Sequence, residues 1–201
     1  MPDETEMGRI IPLNKEMFIP AIISHFKAFR AALEGLCTVR HYGKNDYFLR
    51  QQVRARFFGF VVSGAFREFY TDKDGREYNK AFNSPGQFTG SYYDIHSGKP
   101  SGVAIQALAD SQVLLFHVGR YRQFIEGNTF WLWVDHLATV NLLQRKQQKE
   151  RELLTLSVRE RYDLLLAQNP RLHDVVADYH IASYLGITPS SFSRINRSGI
   201  K

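Results

Sequence analysis

Cysteine is almost missing from this chain: Cys37 stands alone among 201 residues. An internal disulfide is thereby excluded, and so is a self-contained set of cysteine ligands for zinc or an iron–sulfur cluster. A reducing interior, the cytoplasm, suits this usage. Long apolar runs are missing too. None reaches the roughly 20 residues that cross a bilayer, so no membrane partner is expected. The first ten residues, MPDETEMGRI, carry acids at Asp3, Glu4 and Glu6, which is unlike a secretory leader. Acids are missing from one further place, between Tyr179 and Lys201, where Arg194, Arg197 and Lys201 are fixed positive charges. The whole chain is basic at +6, which suits nucleic acid or an anionic surface. A short basic run near a chain end is equally what a solvated tail looks like.

What is present has globular proportions. Hydrophobic residues make up 44% and charged ones 23%, enough for one ordinary domain and a small one. Residues 16–36 place Ile19, Ile22, Ile23, Phe26, Phe29, Ala32, Leu33 and Leu36 at helical spacing. The rhythm then changes. YFLR, FFGFVV, AFREFY, YNKAF, QFTGSYY, VAIQAL and QVLLFHV are strand-length runs rich in aromatic and β-branched residues. Turn signals separate them, and Asp74-Gly75 reads as a two-residue hairpin turn, because both residues tolerate positive φ. Many short strands with regular turns imply a closed roll or sandwich.

From about residue 119 the pattern is helical again. Residues 120–126 form one short helix and Thr129 to Leu154 a long one. The long helix is apolar on a face with Phe130, Val134, Leu137 and Asn141, then polar through QRKQQKERE. Such a face packs either on its own roll or on the same helix of a second subunit. Ser157 and Glu160 have capping-box spacing, and Gln168-Asn169-Pro170 ends the helix they start.

The stretch YHIASYLGITPSSFSRI, 179–195, then reads as helix, three-residue turn, helix. Gly186 supplies a left-handed C-cap. Thr188 caps the next helix, Pro189 fits its first position, and Ile187 and Phe192 form a staple. At 100° per residue Ser190, Arg194 and Arg197 fall together, flanked by Ser191 and Ser193, with Phe192 and Ile195 opposite. Serine is a poor helix former, so a solvated helix would favour Glu and Lys here. Small hydroxyls permit close approach to a duplex, and arginine can read guanine or clamp a phosphate. These five residues are the candidate DNA contacts. His180 and Asn196 are within reach of the DNA backbone in the same reading.

These segments resemble the Crp/Fnr family of bacterial transcription regulators. YGKNDYFLRQ (42–51), FGFVVSGAFREFYTDKDGRE (58–77) and GQFTGSYYDIHSGKPSGVAIQALADSQVLLF (86–116) resemble its roll. ERYDLLLAQNP and YHIASYLGITPSSFSRI resemble its DNA domain, in the form common among Bacteroidetes-type members. The resemblance implies an α+β chain in three parts. Residues 1–127 would be a cyclic-nucleotide-binding-like, jelly-roll-like β-roll with an N-terminal helix, and 128–154 a dimerisation helix. Residues 155–201 would be a helix-turn-helix domain with room for little of the family's β-wing. It also implies a homodimer on double-stranded DNA, with RNA polymerase and a small-molecule effector as further partners.

Two departures from the family pattern stand out. The cassette glutamate for a ribose and arginine for a cyclic phosphate fall on Ser91 and Ser101, so ordinary cAMP binding is not expected. The degenerate effector pocket would comprise Ser91, Tyr92, Lys99, Ser101 and Gly102. Arg67 is the other cation nearby in sequence, and Phe82, Phe88, Tyr92 and Tyr93 are candidates to fill the roll. In the recognition helix the family's leading Arg-Glu pair is replaced by Pro189 and Ser190, while Arg194 matches its later arginine. The effector is unknown. One rival is an effector-binding or protein-interaction module with a tail that does not bind DNA. Another is a cupin-like metalloenzyme, which His41, His96 and His117 are too widely spaced to support.

Overall fold

The computed structural model describes residues 36–127 and 129–198. The helix expected over 16–36 lies outside them except for its last residue, as does the side chain of Phe130. Eight strands come first: β1 Cys37–Tyr42, β2 Tyr47–Leu49, β3 Phe57–Ser63, β4 Phe66–Thr71, β5 Glu77–Asn83, β6 Phe88–Thr89, β7 Ala104–Ala107 and β8 Ser111–His117. A short helix α1, Tyr92–Ser97, interrupts them. Helices follow: α2 Val118–Glu126, α3 Thr129–Thr155, α4 Val158–Gln168, α5 Leu172–Val175, α6 Asp178–Leu185 and α7 Pro189–Ser198.

The strands form two four-stranded antiparallel sheets, ordered β1-β8-β3-β6 and β2-β7-β4-β5. Alternation sends one side chain in two to the interior between the sheets. Val61 faces Val113 across β3 and β8, and Leu49, Phe66, Ile105 and Ala107 complete the buried core. Tyr42 and Phe48 pack their rings on Phe66 at 5.6 and 6.1 Å. Gly59 is needed for this packing, because a Cβ there would lie 2.3 Å from Val113 Cγ1.

Two expectations for the strands and their turns are corrected. QFTGSYY is not one strand: β6 is two residues long, Gly90 turns the chain at φ 143°, and Tyr92 opens α1. Only Gly75 of Asp74-Gly75 has positive φ. The β4–β5 loop runs over 72–76 and is organised by Asp72, whose Oδ1 accepts the N–H groups of Asp74 and Arg76, both at 2.9 Å. Those backbone donors hold the Asp72 carboxyl below its usual range.

The C-terminal helices pack around Tyr162, Leu165, Leu172, Val176, Ile181, Ala182, Leu185 and Phe192. This core runs on without a break to Ala65, Phe82 and Leu108 of the roll. Each fully buried Ile, Leu or Phe contributes about 1.5–3 kcal/mol. The Ser157–Glu160 capping box is formed in full. Among the described residues no strand follows β8, so no wing is present there.

A polar seam also joins the helices to the roll. The Asn79 side-chain amide reaches His180 Nδ1 at 3.2 Å and donates to the His180 carbonyl at 3.1 Å. Arg67 Nη1 lies 3.4 Å from the same Nδ1 and pairs with Glu77 at 2.5 Å. The Ser183 hydroxyl accepts from Asn79 N–H and donates to the Glu77 carbonyl, both at 3.0 Å. Burial, then the Arg67 charge, pull the His180 pKa down to about 4, against the pull of Glu77. With two donors aimed at it, Nδ1 acts as an acceptor on a neutral ring. Lys149, on α3, donates to the Lys80 carbonyl and sits 4.0 Å from the Tyr184 ring centroid. Its pKa falls to about 8, first through burial and then through the charge of Lys80.

Candidate functional site

Local signals place α7. Gly186 ends α6 in the left-handed conformation at φ 74°, and the Ile187 N–H reaches back to Ala182 O at 3.0 Å. The Thr188 hydroxyl then accepts the Ser191 N–H at 3.2 Å, and Pro189 takes the first helical position. Phe192 is wholly buried, its ring edge-on to Tyr162 at 5.2 Å, with Ile187 and Ile195 packed on the same cluster. Polar contacts fix the far end. Tyr162 OH donates to Asn196 Oδ1 at 3.0 Å and meets His173 Nε2 at 2.7 Å, and Arg159 Nη1 donates to Ile195 O at 3.1 Å.

This framework leaves Ser190, Ser193, Arg194 and Arg197 exposed, and no described acid lies on α7. Ser191 is half-buried, and its hydroxyl, like that of Ser190, lies 3.0 Å from Thr188 Oγ1. One expected backbone contact is corrected: His180 is buried in the seam with the roll. Asn196 is half-buried, and its Oδ1 accepts from Tyr162. Tyr162 and Arg159 are the positioning residues that sequence reasoning missed.

In the roll, Ser91, Ser101 and Gly102 do come together, around a residue the sequence reading passed over. Asp94 Oδ2 accepts from Ser91 Oγ at 2.5 Å, Ser101 Oγ at 2.8 Å and Gly102 N–H at 3.3 Å. Ser91, Asp94 and Ser101 are all buried. The signal was there: Ser91-x-x-Asp94 is a helix-start pattern. Lys99 stays outside this cluster, exposed at the end of α1, and Arg67 is committed to Glu77, Gln106 and His180. Tyr92 bonds Thr139 of α3. The four aromatics do not fill the roll: Phe88 and Tyr93 are exposed, and Phe82 is turned toward Tyr184 of α6.

On α3, Val134, Leu137 and Asn141 are all half-buried. No residue from Trp131 to Thr155 is fully buried, although Trp131, Leu132, Trp133, Val134 and Leu137 are all apolar. Among the described residues no group of three or more His, Cys, Asp or Glu is placed to hold a metal ion, and no helix is long and apolar enough to cross a membrane.

Residues 39–128 match the family model for the cyclic nucleotide-binding domain. Among curated proteins none matches the sequence. Among solved structures the chain is similar to FixK2 from Bradyrhizobium japonicum, at 24% identity and TM-score 0.65, over 81% of this chain and 83% of that one. It is similar to the c-di-GMP responsive global regulator CLP of Xanthomonas campestris at 15% identity and TM-score 0.68, over 86% and 90%. It is also similar to the catabolite activator protein of Thermus thermophilus at 20% identity and TM-score 0.55, over 85% and 82%. By sequence, residues 39–128 are similar to a cyclic nucleotide-binding domain, and by fold the chain is similar to these three proteins well past its roll.

Proposed function

We propose that this chain is a sequence-specific, double-stranded-DNA-binding transcriptional regulator of the Crp/Fnr type, in the Bacteroidetes-type form. It acts in the cytoplasm as a homodimer, and its roll does not take cAMP in the usual way. The observation that carries this reading is the exposed, acid-free face of Ser190, Ser193, Arg194 and Arg197 on a helix anchored by a buried Phe192. Small hydroxyls let the helix approach the major groove closely, and each guanidinium can take a base edge or a phosphate.

A second copy supplies the cover that α3 lacks. An apolar stretch with no fully buried residue among the described ones from Trp131 onward suits pairing through Val134, Leu137 and Asn141. Two α7 helices would then enter successive major grooves about one helical turn apart. Contact with RNA polymerase and response to an unidentified effector complete the reading. The base preference differs from that of cAMP-responsive relatives, because Pro189 and Ser190 stand where a reading pair would be.

Selection from a random duplex pool with the purified chain tests this. A two-fold symmetric motif with salt-sensitive affinity is expected. Failure to enrich any motif, with no salt-sensitive duplex binding, would favour the interaction-module reading.

A further inference from the structure

Three donors converge on one oxygen inside the roll. The Ser91 hydroxyl, the Ser101 hydroxyl and the Gly102 N–H all point at Asp94 Oδ2. Ser101 also lies 2.9 Å from the Val103 carbonyl and has one proton to give, and a charged acceptor makes the stronger bond. Hydroxyls and a backbone N–H gathered around a point are what an anion requires. Here the anion belongs to the chain. Among the described residues no basic side chain is paired with Asp94, and Lys80, which feels its charge, is bonded to Glu68 at 2.8 Å. A buried carboxylate therefore depends on those three donors.

We infer that Asp94 is a built-in anion, occupying the cassette in place of the phosphate or carboxylate of a small-molecule effector. By the resemblance, Ser91 and Ser101 fall where the family's ligand-holding pair is expected, and both hydroxyls are spent on this internal carboxylate. A second anion brought beside it would be repelled by the like charge. An anionic effector cannot enter unless Asp94 leaves. Asp94 also sits on the helix that meets both α3 and α2: Tyr92 bonds Thr139 of α3, and Arg122 of α2 donates to the Ile95 carbonyl at 2.9 Å. The self-supplied anion thus sets α1, and α1 is fastened to the long helix, without an external ligand.

This inference stands apart from DNA binding, and its test contains no DNA. Thermal unfolding of the full chain is compared with Asp94→Ala in sodium formate and in sodium chloride at equal ionic strength. Asp94→Ala should melt about 5 °C below the parent chain in chloride. Formate, small enough for the vacated position, should restore part of that loss and leave the parent unchanged. An unshifted Asp94→Ala midpoint, or one that formate raises no more than chloride does, overturns the inference. So does stabilisation of the parent chain by cAMP. If Asp94→Ala does not fold, the double variant Ser91→Ala, Ser101→Ala keeps the carboxylate and removes two donors. It should melt below the parent with no response to formate, and an unchanged midpoint overturns the inference.

Discussion

The Asn79 amide on the roll holds His180 of the C-terminal helices twice, at ring Nδ1 and at the backbone carbonyl. This makes docking of the helices pH-dependent. The His180 pKa is about 4 when docked and near 6.5 when free, so its contribution is fully present above pH 6.5. Between pH 6.5 and 4 the undocked chain takes up a proton that the docked one refuses, and about 1–3 kcal/mol of stability is lost. Denaturant titrations from pH 7 to 4 should show this fall in the parent chain. A His180→Gln variant should show a smaller one. Equal slopes would remove His180 from the explanation.

Arg194→Ala should weaken binding to the selected duplex by about 1–3 kcal/mol while leaving binding to random duplex nearly unchanged, if Arg194 reads a base. Fluorescence anisotropy on both duplexes separates the cases, since an equal loss on each marks a phosphate contact. Arg197→Ala provides the comparison.

Phe192→Ala should cost about 3–5 kcal/mol, because it empties the wholly buried position that anchors α7. Calorimetry reads the loss. Ser157→Ala should cost only about 1 kcal/mol, the value of one cap.

Paired charges on α3, Val134→Glu with Leu137→Glu, should convert a dimer into monomers. Light scattering across a concentration series measures this, and an unchanged mass would place the dimer interface elsewhere.

Much of the C-terminal unit was legible in the sequence because its signals are local. Ser157 with Glu160, Gly186, Thr188 before Pro189, and Ile187 with Phe192 all act within a turn or two of chain. Most of the roll's strands were legible for the same reason, through alternation and turns, but β1, Cys37–Tyr42, was not among the strand runs read. α1 was lost because aromatic Tyr92 and Tyr93 look like strand residues, and this outweighed the Ser91–Asp94 spacing. The His180 seam had no sequence signal, since its partners lie 101 and 113 residues away. Those contacts exist only once the two units touch.

α3 is bonded to the roll at Thr139, through Tyr92, and again at Lys149, through Lys80, about 15 Å further along its axis. Rolling the rod about its axis would cost both bonds, since a one-residue slip turns it by about 100°. Turning α7 against the roll would mean bending at the break in helix around Leu156 and Ser157, unfastening His180 and splitting the core that Ala65, Phe82 and Leu108 share with the helices.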